Sequence, residues 1–243
     1  MANDILETKN LKKNYGKKEV VKGLNLQFSS NKIIGLLGPN GAGKTTTFYM
    51  IVGLIPPNSG EIFLNGNSLT RLPMYERARA GIAYLPQEPS VFRNLSVLDN
   101  LLAVLEFYPM TQKERIDKAM SALESLGITH IKDTLGYALS GGERRRTEIA
   151  RALILSPKFF LLDEPFAGID PLAVLDIQKI VVMLKEQGLG VVITDHNVRE
   201  TLKITDEAYM ISEGTLFRHG TPTELAEDEE VKRTYLGEGF TLN

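Results

Sequence analysis

A chain of 243 residues, 43% of them hydrophobic, can bury a full core, and its formal net charge of −2 lacks the strongly basic footprint that a nucleic-acid partner demands. It contains no cysteine, which excludes disulfides, thiolate metal sites and thiol catalysis. No run approaches the ~18 consecutive apolar residues of a membrane span, and the N-terminus has neither the basic nor the apolar region of a secretory signal. The expectation is therefore a cytoplasmic protein with no direct membrane insertion and no nucleic acid bound.

In chain order, residues 5–28 and 60–64 read as antiparallel strands. Lys9, Lys12, Lys13, Lys17, Lys18 and Lys22 make the first segment basic, and Glu224, Glu227, Asp228, Glu229 and Glu230 make the tail acidic. Both are expected to be solvated faces. Short apolar runs at 33–37, 82–85, 159–162 and 191–194 do not alternate and end in turn residues, which suits strands covered on both faces. Helical patterns at 44–53, 97–107, 111–126, 142–155 and 172–187 lie among them, and the alternation predicts an α/β fold. Residues 89–157 break the rhythm with three helices in succession, so they are expected to form a helical subdomain inserted into a core built from 1–88 and 158–243.

The first chemical motif follows the apolar run at 33–37. Gly38-Pro39-Asn40-Gly41-Ala42-Gly43-Lys44-Thr45 matches the GxxxxGK[ST] phosphate loop between a strand and a helix. Glycines let backbone N–H groups turn inward, and the following helix adds its positive end, so the loop can hold a polyphosphate. Lys44 would reach the β- and γ-phosphates and Thr45 would ligate Mg²⁺; Asn40, Gly41, Gly43 and Thr46 belong to the same cradle. The loop implies ATP or a similar nucleotide but does not choose among GTPases, kinases and motors.

Two further strand ends carry charge. The apolar run at 159–162 ends in Asp163 and Glu164, where strand ends meet the ligand crevice of an α/β sheet. Adjacent strand residues point to opposite faces, so the two can take different jobs, one holding Mg²⁺ from its outer shell and the other orienting or deprotonating the attacking water; Asp163 is expected in the first and Glu164 in the second. The run at 191–194 leads to His196, placed where a neutral imidazole can hydrogen-bond the γ-phosphate. His130 and His219 have no such setting and receive no role. With Lys44, these residues form the expected catalytic set.

A second glycine turn, Leu139-Ser140-Gly141-Gly142-Glu143, opens another helix. Ser140 and Glu143 alone read as a capping box, but that reading leaves two consecutive glycines unexplained. Together with the phosphate loop and Leu162-Asp163-Glu164-Pro165, this motif makes the chain resemble the ABC ATPase family over nearly its whole length. The resemblance implies a P-loop NTPase core with an antiparallel β subdomain and an inserted helical subdomain. It further implies a homodimer with ATP at the interface, in which Ser140 and Gly142 of one copy cover the nucleotide of the other. An isolated copy would then bind ATP yet hydrolyse it poorly. By the same resemblance Tyr15 stacks on adenine, Gln87 links the helical arm to the core and to Mg²⁺, and Ala167-Gly168-Ile169-Asp170 crosses between subunits.

Within the family, the sequence is most similar to the ATPases of lipopolysaccharide export. The residues that carry this are 84–88, 91–97, 140–146, 164–171, 194–201 and 235–240, with Arg144-Arg145-Arg146 expected on a solvated helix face and Thr147 and Gly239 as small departures. Branched-chain amino-acid importers share the layout and remain an alternative, as does a nucleotide-binding regulatory module that does not hydrolyse. The export resemblance implies integral membrane permease subunits of the LptF and LptG kind, docking near Phe92 and Arg93. It implies a peripheral position on the cytoplasmic face of the inner membrane.

Overall fold

Residues 3–167, 171–237 and 240 are described by the computed structural model. Gly168, Ile169 and Asp170, expected to cross between subunits, lie outside the described residues, as do Glu238 and Gly239 of the C-terminal motif. The chain opens with an antiparallel pair, β1 (Ile5–Tyr15) and β2 (Lys18–Ser29), then enters β3 (Ile33–Leu37) and α1 (Lys44–Val52). Next come β4 (Ser59–Leu64), β5 (Asn67–Ser68), α2 (Met74–Ala80) and β6 (Ile82–Leu85). The three helices α3 (Val97–Leu105), α4 (Gln112–Ser125) and α5 (Gly141–Leu153) separate β6 from β7 (Phe159–Asp163). After them follow α6 (Pro171–Glu186), β8 (Gly190–Thr194), α7 (Val198–Leu202), β9 (Glu207–Ser212), β10 (Thr215–Gly220), α8 (Pro222–Glu227) and α9 (Glu229–Val231).

The strands form two sheets. One is a four-stranded antiparallel sheet in the order β2-β1-β4-β5, and the other a six-stranded sheet in the order β10-β9-β3-β8-β7-β6, parallel except at the β9–β10 edge. The residues of β3, β7 and β8 are buried throughout, which is why their sequences read as continuous apolar runs. Side-chain alternation divides each strand between two cores. Phe159, Leu161 and Val192 join Phe28, Phe48 and Tyr209 beneath the antiparallel sheet. Phe160, Leu162, Val191 and Ile193 join Leu101, Leu123, Ile149 and Leu184 beneath the helices.

Three of the sequence-predicted helices carry recognisable starts. Ser96 caps α3 through the Asp99 amide, and capping boxes open α4 (Thr111 with Glu114) and α5 (Ser140 with Glu143). The α2 helix escapes periodicity because its one buried residue is an arginine. Arg77 inserts its guanidinium between elements and donates to the carbonyls of Met50, Ile51, Thr70 and Leu72, satisfying the C-terminal end of α1. The expected solvated face of Arg144-Arg145-Arg146 is corrected in the same way. Arg145 is 9% exposed and donates to the Pro86 carbonyl at 2.8 Å, while Arg146 reaches the Leu126 carbonyl and pairs with Asp176 of α6.

Candidate active site

The loop between β3 and α1 is shaped by its glycines. Gly38 and Gly43 have φ of 151° and 104°, and a Cβ on either would run into a carbonyl oxygen, that of Ile211 or of Val20. Gly43 is also the N-cap of α1, so no side chain caps this helix and no acidic residue stands in its first turn. Its leading N–H groups keep their capacity for an anion. The loop closes around a cleft of about 140 Å³ lined by Val20, Asn40, Gly41, Gly43, Lys44, Thr45, Thr46 and Glu164.

Lys44 is almost fully buried, and its ammonium donates to the carbonyls of Gly38 and Pro39 at 2.8 and 3.1 Å. Burial pulls its pKa below the ordinary lysine value, and the carboxylates of Glu164, Asp163 and Asp195 oppose that shift. The charge is thus held close to the place where phosphate oxygens would enter.

Asp163 ends β7 with 3% exposure. Thr194 Oγ1 donates to its Oδ1 at 2.6 Å and the Tyr84 hydroxyl to its Oδ2 at 3.3 Å. Burial raises its pKa against both hydrogen bonds. Glu164 is separated from Asp163 by more than strand alternation. It lies just past the strand with φ of 45°, a left-handed conformation unusual for a side-chain-bearing residue, fixed by its N–H donating to the Thr194 carbonyl at 2.8 Å. That turn sends the carboxylate into the cleft. Gln87 Nε2 donates to Glu164 Oε2 at 2.9 Å, and His196 Nδ1 stands 3.5 Å from the same oxygen, beyond hydrogen-bond length.

The loop bearing Gln87 is itself held by α5. Arg145 takes the Pro86 carbonyl, and Glu148, buried beside it, accepts from the Val91 amide at 3.1 Å. Arg151 donates to the Ser90 carbonyl at 2.7 Å and lies over the Phe92 ring at 5.0 Å. Phe92 and Arg93 stay exposed beside a groove of about 570 Å³ bordered by Tyr49, Leu54, Met74, Tyr84, Gln87 and Arg151.

The structure therefore gathers Lys44, Thr45, Thr46, Asn40, Gly41, Gly43, Asp163, Glu164, Gln87 and His196 around one cleft. It does not bring Ser140, Gly142 or Tyr15 there within the same chain. Tyr15 is half exposed at the end of β1, and Val20 from the returning strand lines the cleft instead. Ser140 caps α5 as the capping-box reading requires. The glycines beside it remain unaccounted for internally. Neither Gly141 nor Gly142 has a positive φ, and a Cβ on either would meet nothing within 4 Å.

Sequence reasoning missed several residues that build this site. Asp195, fully buried, accepts from the amides of Asn197 and Phe166 and so ties the turn after Glu164 to the turn bearing His196. Its place between Thr194 and His196 was a usable signal. Tyr84 and Thr194 bracket Asp163; Thr194 ends β8 and Tyr84 stands one residue before the end of β6. Tyr235 gave no local signal at all, yet its hydroxyl donates to the Gly38 carbonyl at 2.8 Å from 197 positions away.

A phosphate-cradling loop leaving a parallel sheet beside two strand-end carboxylates defines a P-loop nucleotide-binding protein of the α/β class. The family profile described as ABC transporter matches residues 21–167. The "Lipopolysaccharide export system ATP-binding protein LptB" of Escherichia coli (strain K12) is 56% identical over 238 residues, covering 98% of this chain and 99% of its own. The protein of the same description from Haemophilus influenzae is 56% identical over 239 residues, with 98% and 99% covered. A crystal structure of an ATP-binding cassette of an ABC transporter in its ADP conformation superposes with a TM-score of 0.86 at 28% identity, covering 97% of this chain and 99% of the other. The chain belongs to the ABC transporter family.

Proposed function

We propose that this chain is the ATP-hydrolysing motor subunit of a lipopolysaccharide exporter, working as a homodimer beneath integral membrane permease subunits. One observation carries the hydrolytic part. The Glu164 carboxylate lines the phosphate cleft, and both Gln87 and His196 approach its Oε2. A carboxylate so placed orients water for in-line attack on the γ-phosphate, a role worth about 10²- to 10⁴-fold in rate. Lys44 and His196 stabilise the charge that develops on the transferring group.

Thr45 of the cradle and Asp163 at the end of β7 supply hard oxygen donors, and the Gln87 side-chain carbonyl adds a third while its amide is held by Glu164. Among the described residues no group of three or more His, Cys, Asp or Glu could hold a metal alone. That donor set fits Mg²⁺, which takes a carboxylate or two and completes its shell with substrate phosphates and water. Bound there, Mg²⁺ would neutralise charge on the β- and γ-phosphates.

The pairing of two copies is supported by the glycines that the single chain does not need. A Cβ on Gly141 or Gly142 would meet nothing within 4 Å, so the glycines leave open space at the start of α5 beside Ser140, whose amide and hydroxyl are given to Glu143 within the chain. A second copy bringing its nucleotide there completes two composite sites, and hydrolysis releases them. Tyr15 is assigned to the adenine ring. Phe92 and Arg93, exposed above α5, are assigned to the permease contact, with LptF- and LptG-like subunits as the partners. Among the described residues no helix is long and apolar enough to cross a membrane. A place on the cytoplasmic face of the inner membrane is therefore reached through those partners.

Relatives described as lipopolysaccharide-export ATP-binding proteins at 56% identity support the cargo. The test is purification of the chain with its membrane partners, identified by mass spectrometry, followed by ATP-dependent release of lipopolysaccharide from vesicles. Co-purification of exporter-type permeases with release is expected; recovery of amino-acid permeases would contradict the cargo.

A further inference from the structure

We infer that Tyr84 is a positioning residue for the metal side of the site, acting together with Tyr49 as a gauge between α1 and Asp163. The inference rests on the proposed assignment of Thr45 and Asp163 to Mg²⁺ and goes one layer beyond it. Asp163 has both oxygens engaged. Oδ1 accepts from Thr194, its neighbour on β8, and Oδ2 accepts from the Tyr84 hydroxyl, brought in by β6 on the other side of β7. The carboxylate plane is thereby fixed from both flanks.

Tyr84 is fixed in turn by α1. Its ring meets the Tyr49 ring edge to face, with centroids 6.4 Å apart and planes at 88°. Tyr49 stands four residues after Thr45, and residues so spaced share one face of a helix. A continuous path therefore runs from Thr45 along α1 to Tyr49, across the ring contact to Tyr84, and through the hydroxyl to Asp163. It sets the spacing between Thr45 and Asp163, the two residues that would hold the ion.

Packing alone does not account for the hydroxyl. The Tyr84 ring lies against the core beneath the antiparallel sheet, a contact that phenylalanine would make equally well. A hydroxyl taken out of water is costly unless bonded, and Asp163 is its partner. Tyr84 and Tyr49 also both border the large groove beside Phe92, so the gauge is open to whatever occupies that groove.

The test uses the full chain with ADP and Mn²⁺ as a spectroscopic probe, bound Mn²⁺ being counted by electron paramagnetic resonance, with thermal unfolding measured in parallel without metal. Tyr84→Phe should weaken Mn²⁺ binding by about tenfold, the usual scale for losing an outer-shell partner, with its melting temperature unchanged. Tyr49→Leu, which keeps the Tyr84 hydroxyl but removes the ring contact and the Tyr49 hydroxyl close to it, should give a smaller loss in the same direction. Asp163→Asn is the reference. If it weakens Mn²⁺ binding while Tyr84→Phe stays within about twofold of the parent, the gauge is wrong and the metal assignment stands. If Asp163→Asn leaves Mn²⁺ binding intact, the metal assignment fails and the gauge with it. A fall in Mn²⁺ binding that merely tracks a fall in melting temperature also overturns the inference.

Discussion

The side-chain amide of Gln87 donates to the Glu164 carboxylate at 2.9 Å, tying the loop that leaves β6 to the residue assigned to the attacking water. The loop is anchored at Pro86 and Val91 by Arg145 and Glu148 of α5, the helix that opens with Ser140 and Gly142. One rigid element thus connects the glycine turn, the Gln87 loop and Glu164. The assigned contact of one copy with its neighbour's nucleotide reaches the chemistry through this helix.

Gln87→Ala removes that tether without touching the core, because Gln87 is exposed. Phosphate release should fall by about ten- to hundredfold, the range for a misplaced catalytic group, while equilibrium ATP binding measured without Mg²⁺ stays near that of the parent. Steady-state kinetics beside a nucleotide-binding titration separates the two. An equal loss in binding would mean that Gln87 serves the nucleotide and not Glu164.

Arg145→Ala should act on stability as well. Arg145 and Glu148 form a buried pair at 3.4 Å, and removing the arginine leaves Glu148 with Arg151 as its one remaining cation. Breaking such a pair costs about 3 to 5 kcal/mol, so the urea midpoint should drop clearly. An unchanged midpoint would show that Arg151 alone balances Glu148.

Much of this site was legible from residue order, for reasons that differ by residue. The phosphate loop and the Asp163-Glu164 pair are contiguous and sit at the ends of wholly apolar strands, so local pattern sufficed. Gln87 and Tyr15 came only through family resemblance, since neither a surface turn nor a strand end announces its target. Tyr84, Arg145 and Tyr235 were silent because their partners lie 79, 59 and 197 positions away and are fixed by strand order and helix packing. The α2 helix and the β9–β10 pair were missed as elements. The first is anchored by a buried arginine, and β10 is an edge strand with little burial.

The capping box at Ser140 predicts a pH dependence. The Ser140 hydroxyl and amide donate to Glu143, holding its pKa below the ordinary 4.5. A carboxyl whose folded pKa is depressed adds stability above its unfolded pKa and loses it as pH falls through the folded value. Glu143→Gln should therefore unfold at lower urea than the parent at neutral pH, and the gap should close as pH falls from the ordinary carboxylate range through the lowered folded pKa of Glu143. A gap that persists in acid would assign the effect to geometry and not to charge.

Gly142→Asp separates folding from function. A Cβ there meets nothing within 4 Å of its own chain, and an acidic residue in a first helical turn is favourable where glycine is not. Unfolding should be as late as in the parent or later, yet phosphate release should be lost, because the carboxylate would face the partner's nucleotide. A variant that folds and hydrolyses normally would remove Gly142 from the site.

The central claim is that each site is shared between two copies, and mixing two inactive proteins tests it most directly. Lys44→Ala spoils the cradle and leaves the glycine turn intact; Gly142→Asp does the reverse. Neither alone should release phosphate. When they are mixed in equal amounts, random pairing puts an intact Lys44 opposite an intact Gly142 in one site of each mixed dimer, so about a quarter of the parent rate per subunit should return. A mixture as inactive as its components, with subunit exchange verified, would contradict the shared site.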